Sequence, residues 1–146
     1  MRTRMLGALS ATVLVLAGLA AGCGSGSDDY ANADRPAAPV SISIAVTDTR
    51  LGVSPSHVGA GPVLLLIANE SNRSRDVTLT TPDGSDRSCV EDDASSGPIN
   101  PQGAARIQLS LVQGTCELGV ADGNVPPARI VVGPERESAQ QDLLQP

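Results

Sequence analysis

Aromatic residues are almost absent from this chain. It has no phenylalanine and no tryptophan, and Tyr30 is its single tyrosine. Stacking of sugars or bases on aromatic side chains is therefore unavailable, which argues against a lectin or a single-strand nucleic-acid binder. Any core must be built from Val, Ile, Leu and Ala, which bury less apolar area per side chain than aromatic rings do.

Positive charge is also scarce. The chain has no lysine and 10 arginines, against 16 acidic residues. Without the first 22 residues, which include Arg2 and Arg4, the net charge of the side chains (the side-chain balance) is −8. An acidic surface repels nucleic acid and anionic lipid headgroups. The sequence therefore predicts no nucleic-acid partner, and attachment to a membrane would have to come from lipid chains.

The first 23 residues have the anatomy of an export signal. Arg2 and Arg4 precede an uncharged run over residues 6–21, which ends in Leu-Ala-Ala-Gly followed by Cys23. The run is too short to be read first as a spanning helix, and small residues flank the probable cut. The segment resembles the lipobox of bacterial lipoproteins. The resemblance implies cleavage after Gly22, acylation of Cys23 by palmitate-like chains, and residence on the extracytoplasmic face of the cell membrane.

Composition divides the chain into four parts. We expect a signal peptide at residues 1–22, a lipidated tether at 23–39, one folded domain at 40–134 and a flexible tail at 135–146. The tether is rich in Gly, Ser, Asp and Pro and has no apolar periodicity, as is typical of a solvated linker. A simpler alternative for the N-terminus is an ordinary secretory signal cut near Ala21, which would leave Cys23 as a spare thiol.

Strand patterns fill the expected domain. Residues 40–47 alternate apolar and small or polar side chains, the period of a half-buried strand. Residues 62–68 form a continuous apolar run between turn signals, which predicts a central strand covered on both faces. Further short strands are expected at 77–80, 106–111, 116–120 and 128–132. The sequence thus predicts an all-β fold, a Greek-key antiparallel β-sandwich or barrel, and no segment of helical period competes.

Two cysteines remain once Cys23 is set aside. Cys116 shares a strand face with Leu118 and Val120, and Cys89 lies in a loop earlier in the chain. Outside the cytoplasm such a pair is expected to form a disulfide. The chain has no CxxC motif and no His or Lys beside either thiol, so the pattern disfavours a redox couple or a soft-metal site.

The order of these features resembles the cupredoxin-like domains of bacterial lipoproteins. The resemblance runs from the strand at residues 40–46 through Asn69-Glu-Ser, Ile99-Asn-Pro-Gln-Gly and Gly114-Thr-Cys-Glu-Leu to Ile130-Val-Val. Copper-binding members place two His, a Cys and usually a Met at one pole. The corresponding positions in this chain are Arg75 or its neighbour, Val120, Asn124 and Pro126 or Pro127. A blue-copper centre needs two imidazoles and a thiolate, so the resemblance implies the fold without metal or other cofactor.

Other candidate sites are weaker. His57, the only histidine, has Ser54 and Ser56 nearby but lies in a Pro-containing connection, so we expect it to be exposed and not catalytic. Arg73 and Arg75 flank Ser74 at a strand edge and could bind an anion, but we expect them to pair with Asp76 or Glu70 at the surface. An acidic loop lacks the ligand spacing of a calcium loop, and we expect it to be solvated. It comprises Asp83, Asp86, Glu91, Asp92 and Asp93.

The sequence therefore predicts a non-enzymatic envelope lipoprotein with a copper-free cupredoxin-like binding or structural module. Its protein or small-molecule ligand is not evident from the residues. Two alternatives stay open. One is an extracytoplasmic thiol redox protein or metallochaperone that uses Cys89 and Cys116. The other is an immunoglobulin-like adhesion or assembly domain, which strand order and the placement of the disulfide would distinguish.

Overall fold

A computed structural model of the protein describes residues 36–138, and these belong to one compact unit. Its eight strands are β1 (Val40–Val46), β2 (Leu51–Ser54), β3 (His57–Asn69), β4 (Arg75–Thr80), β5 (Ala94–Ile99), β6 (Ala104–Leu111), β7 (Gly114–Val120) and β8 (Ala128–Glu135). Within residues 36–138 no helix is long and apolar enough to cross a membrane. The predicted signal peptide, Cys23 and most of the predicted tether lie outside the described residues.

The strands form two layers that share one core. One layer has the order β2-β1-β3-β6 and the other β8-β7-β4-β5. The long strand β3 contributes to both, because its first residues pair with β8 and its remainder pairs with β1 and β6. The core side chains come from both layers and are aliphatic, as the lack of aromatic residues requires. The predicted all-β sandwich is confirmed.

Two of the strand pairings are parallel. β1 runs parallel to β3, and β3 runs parallel to β8, whereas the other five pairings are antiparallel. Alternation along a strand indicates which face is buried but not which strand lies beside it. The parallel pairs were therefore not predicted from the sequence.

The burial of β1 and β3 follows their side-chain patterns only in part. In β1 the residues Ile42, Ile44 and Val46 are buried, as the alternation predicts. In β3 one face is buried, but Leu64 and Leu66 on the other face are only half-buried. The prediction that this strand is covered on both faces is wrong for the part of the chain that the structure describes. One apolar face of the first layer stays open.

Arg136, just after β8, makes hydrogen bonds to the segment before β1 and to the first part of β3. Its guanidinium donates hydrogen bonds to the carbonyl oxygens of Ala38 (2.8 Å), Gly59 (3.2 Å) and Pro62 (2.5 Å). A Cβ on Gly59 would lie 2.5 Å from Cγ of Arg136, so the close approach requires glycine there. Residues 135 and 136, assigned to the tail from sequence, thus belong to the folded unit: Glu135 ends β8 and pairs with Ala60.

Candidate functional site

Four loops meet at one end of the sandwich. They are residues 47–50, 70–74, 100–103 and 121–127, and we call this end the Arg75 pole. The loops are joined by hydrogen bonds from the backbone N–H of Glu70 to the Val46 carbonyl (2.8 Å) and from the Asn72 side chain to Asp48 (3.2 Å). The pole includes the positions at which the cupredoxin resemblance would place copper ligands.

A buried arginine occupies the centre of the Arg75 pole. Arg75 is the first residue of β4, and only 2% of its side chain is exposed. Its Nη1 donates to Oδ2 of Asp122 at 2.5 Å, and its Nε donates to Oγ of Ser71 at 3.2 Å. Nη2 lies 3.7 Å from Oδ1 of Asp48. One guanidinium therefore connects three loops, a role that its planar fork of donors suits well.

Asn69, the last residue of β3, connects the loops of the pole by hydrogen bonds. Its side-chain nitrogen donates to the carbonyl oxygens of Arg73 (2.7 Å), Ile99 (2.9 Å) and Asn100 (3.1 Å). Its Oδ1 accepts hydrogen bonds from the N–H (3.0 Å) and the hydroxyl (2.6 Å) of Ser71. Among the described residues no buried side-chain nitrogen or oxygen lacks a partner. The buried polar side chains of the pole are thus hydrogen-bonded to one another and to nearby main-chain groups.

Asp122 supplies the carboxylate that faces Arg75. It lies in the turn Asp-Gly-Asn, where the backbone N–H of Asn124 donates to its Oδ1 at 3.2 Å and Gly123 has a φ of 66°. Hydrogen bonds from Asn124 and the nearby charge of Arg75 favour the ionised form, and together they lower the pKa of Asp122 below its ordinary value. The side chain is 38% exposed, so the ion pair lies at the boundary between core and solvent.

The residues at the pole do not fit copper. The predicted positions hold a guanidinium (Arg75), an aliphatic side chain (Val120) and an exposed amide (Asn124). A guanidinium carries no lone pair for a metal and repels a cation. The described residues contain no group of three or more His, Cys, Asp and Glu side chains placed to hold an ion. A shallow pocket of about 250 Å³ lies beside Arg75 and Asp122.

The surface pairing expected for Arg75 is wrong. The sequence suggested Asp76 or Glu70 at the surface as its partner. The structure instead buries Arg75 and pairs it with Asp122, which lies 47 residues away. Asp76 accepts a hydrogen bond from Ser95 on β5 (2.7 Å). Arg73 is exposed, but no ion pair joins it to Asp76 or Glu70.

Cys89 and Cys116 form the predicted disulfide, with a Cα–Cα distance of 5.5 Å. Both residues are fully buried. The bridge joins the loop between β4 and β5 to β7. No strand of the β2-β1-β3-β6 layer carries either cysteine. Because the sulfurs are bonded to each other and enclosed, neither is available as a thiolate.

The remaining sequence candidates are at the surface. His57 is exposed, and its Nδ1 lies 3.2 Å from the hydroxyl of Ser56. His57 begins β3 whereas Asn69 ends it, so the imidazole lies at the opposite end of the strand from the pole. In the acidic loop Glu91, Asp92 and Asp93 are exposed. The structure thus does not bring these groups together with Arg75.

Sequence reasoning missed Asp48, Asn69, Ser71 and Asp122 as parts of the pole. The Asp-Gly-Asn turn was a visible local signal for Asp122. Nothing in the local pattern indicates that this turn faces Arg75, because the contact is made by tertiary packing.

No family model and no curated protein matches the chain. Among solved structures, auracyanin A, a "blue" copper protein from Chloroflexus aurantiacus, is similar at 15% identity, covering 66% of this chain and 100% of that chain with a TM-score of 0.49. An auracyanin from Roseiflexus castenholzii is similar at 12% identity, covering 67% and 99%, with a TM-score of 0.48. By the order and direction of its own strands, the described domain is a two-layer β-sandwich with parallel and antiparallel pairings.

Proposed function

We propose that this protein is a lipid-anchored lipoprotein of the cell envelope whose sandwich acts as a copper-free binding or structural module. The observation that carries the proposal is the Arg75 pole. There a guanidinium joins the loops through Ser71, Asp48 and Asp122. Electron transfer is not part of the proposal, because function resides in the site and not in the fold.

The disulfide supports a structural over a redox role for the cysteines. A thiol oxidoreductase or metallochaperone needs an exposed sulfur that a partner thiolate or a metal can reach. Cys89 and Cys116 are both fully buried. We therefore propose that the protein is not an enzyme of this kind and that the bridge serves stability.

The immunoglobulin-like alternative is disfavoured by two features of the structure. In immunoglobulin domains the conserved disulfide joins the two sheets. Here the bridge joins a loop to β7 and does not join strands of the two layers, and β3 pairs in parallel with both β1 and β8. Adhesion or assembly through an immunoglobulin-type domain is therefore not our proposal.

The envelope location rests on the sequence around Cys23. With a side-chain balance of −8 after residue 22, the protein has no electrostatic attraction to anionic headgroups. Stable anchoring would then come from the acyl chains, since two or more chains hold a protein where one gives only marginal binding.

We expect Cys23→Ser to release the protein from the membrane fraction. Without the thiol the lipid cannot be attached, and the protein should be found either unprocessed or in the soluble extracytoplasmic fraction. Ser25→Cys, which leaves Cys23 in place, is the control and should fractionate as wild type. Fractionation followed by intact-mass measurement checks the prediction. A Cys23→Ser protein that stays in the membrane at its mature mass contradicts the proposal.

A further inference from the structure

The chain contains two Asp-Gly steps, Asp83–Gly84 and Asp122–Gly123, and no Asn-Gly step. In an Asp-Gly step the main chain can react with the aspartyl side chain, because glycine has no Cβ to block the approach of its nitrogen. The structure places the two steps in different surroundings. Their reactivity can therefore be compared within one molecule.

The reaction concerned is the isomerisation of aspartate. The glycine nitrogen attacks Cγ of the protonated aspartyl carboxyl. A C–N bond forms, and the hydroxyl leaves with the amide proton as water. Water then opens the cyclic imide at the main-chain carbonyl carbon, so that the chain runs through Cβ and the former carbonyl carbon becomes a free carboxylate. One water leaves and one enters, so the isoaspartate product has the same mass and needs no enzyme, oxidant or cofactor.

We propose that Asp83 is a site of spontaneous isomerisation and that the Arg75 pole protects Asp122 from the same reaction. This adds a modification site to the loop between β4 and β5. It also gives Arg75 a chemical role beside its structural one. Neither part depends on lipidation or on a ligand of the domain.

Asp83 and Gly84 lie at the exposed tip of a turn. The N–H of Ser85 donates to the carbonyl of Pro82 across this turn (3.2 Å), and Gly84 has a φ of 77°. A Cβ on Gly84 would meet nothing within 4 Å. Within residues 36–138, neither the Asp83 carboxylate nor the Gly84 N–H has a hydrogen-bond partner. Both reacting groups are accessible, and neither must give up a hydrogen bond before they meet.

At Asp122 both reacting groups are already engaged. The carboxylate accepts hydrogen bonds from the backbone N–H of Asn124 (3.2 Å) and from Nη1 of Arg75 (2.5 Å). The N–H of Gly123, which would be the nucleophile, donates to the carbonyl of Val120 (2.8 Å). Asn124 and Arg75 also lower the pKa of Asp122, and an ionised carboxylate has no hydroxyl to lose as water. The geometry and the charge therefore act in the same direction.

Isomerisation would have unequal consequences at the two positions, because isoaspartate adds one carbon to the main chain and moves the carboxylate. At Asp83 the change is confined to an exposed turn. At Asp122 it would withdraw the closest ionic partner of Arg75, whose side chain is only 2% exposed. A buried charge that loses its partner is strongly unfavourable. Protection of Asp122 thus preserves the Arg75 pole as the protein ages.

Ageing of the purified full-length protein tests the proposal. The protein is incubated for several weeks near neutral pH, and isoaspartate is located by electron-transfer dissociation mass spectrometry, which cleaves its Cα–Cβ bond. We expect isoaspartate to form at Asp83 at least about ten times faster than at Asp122, because each hydrogen bond that must break lowers the reactive population by a factor of about five.

The same chain, reduced and unfolded in guanidinium chloride, is the control. Without the fold both Asp-Gly steps should isomerise at similar rates, since a glycine follows each aspartate. Equal rates in the folded protein would overturn the proposal. So would a ratio that is the same in the unfolded chain, because the difference would then come from the flanking sequence.

A variant locates the protection in Arg75. Arg75→Met removes the donor to the Asp122 carboxylate and should raise isoaspartate at Asp122 at least about fivefold, with Asp83 unchanged. Changing Cys89 and Cys116 to Ala destabilises the fold without touching the pole and should not raise it. No rise in Arg75→Met, or an equal rise in the cysteine variant, would contradict the role of Arg75. Asp83→Glu keeps the charge but should abolish the loop product, because ring closure through the longer side chain is much slower.

Discussion

Arg75→Ala is expected to lower the free energy of unfolding by about 2 to 4 kcal/mol. The change removes a large side chain that is only 2% exposed and leaves a cavity. It also removes the charge-assisted hydrogen bonds to Asp122 and Ser71, each of which contributes on the order of 1 kcal/mol or more. Chemical denaturation monitored by far-UV circular dichroism measures the loss.

Arg73→Ala is the matched control for Arg75→Ala. Arg73 is exposed two residues away, and its loss should change stability by no more than about 0.5 kcal/mol. Arg75→Met should cost less than Arg75→Ala, because it fills the space and the two carboxylates it releases are 48% and 38% exposed. Equal midpoints for Arg75→Ala and Arg73→Ala would show that Arg75 does not hold the pole.

The contribution of the ion pair should depend on pH in one direction. The pKa of Asp122 is lowered in the folded protein, so its ionised form stabilises the fold above the ordinary aspartate pKa of about 3.9. This stabilisation is lost as the pH falls through the lower, folded-state pKa. The difference in melting temperature between wild type and Asp122→Asn should therefore be present at pH 7 and shrink below about pH 4.

Loss of the disulfide is expected to have a similarly large effect. Changing both Cys89 and Cys116 to Ala opens a loop of about 28 residues, which costs about 3 to 4 kcal/mol in the loop-entropy model. In a small core without Phe or Trp this is a large part of the net stability. The double variant avoids a stray thiol, and its unfolding midpoint can be compared directly with that of the wild type.

Reduction of the native protein provides the control for the disulfide prediction. Because both cysteines are fully buried, a mild reductant should not open the bridge until the protein unfolds. Rapid reduction under native conditions, together with a loss below about 1 kcal/mol in the double variant, would favour the thiol redox alternative.

The sequence predicted six of the eight strands, all except β2 and β5, but not which strands lie side by side. Alternation located β1 because each apolar residue there faces the core. The apolar run in β3 correctly identified a strand, but the prediction that both of its faces are covered was wrong. Periodicity and composition do not show whether a further layer packs on the second face of a sheet. The disulfide was predictable because only two cysteines remained after Cys23.

The Arg75 pole could not be predicted from the sequence in full. The sequence does show that residues able to bind copper are absent from the expected positions, as at Val120. What replaces them was not visible, because Arg75 meets Asp122 across 47 residues and Asp48 across 27. The contacts of Arg136 were missed for the same reason. Its partners are main-chain carbonyls on other segments, and because every residue has a carbonyl, the sequence does not show which ones accept.

Titration of the purified, tag-free protein with Cu²⁺ tests the central claim most directly. The His57→Ala variant removes the one exposed imidazole, so that any remaining tight site must lie elsewhere. We predict no intense visible thiolate-to-copper band and no stoichiometric high-affinity binding, because the pole holds a guanidinium and the cysteines are joined. Tight one-to-one binding that disappears when Cys89 and Cys116 are changed would contradict the account.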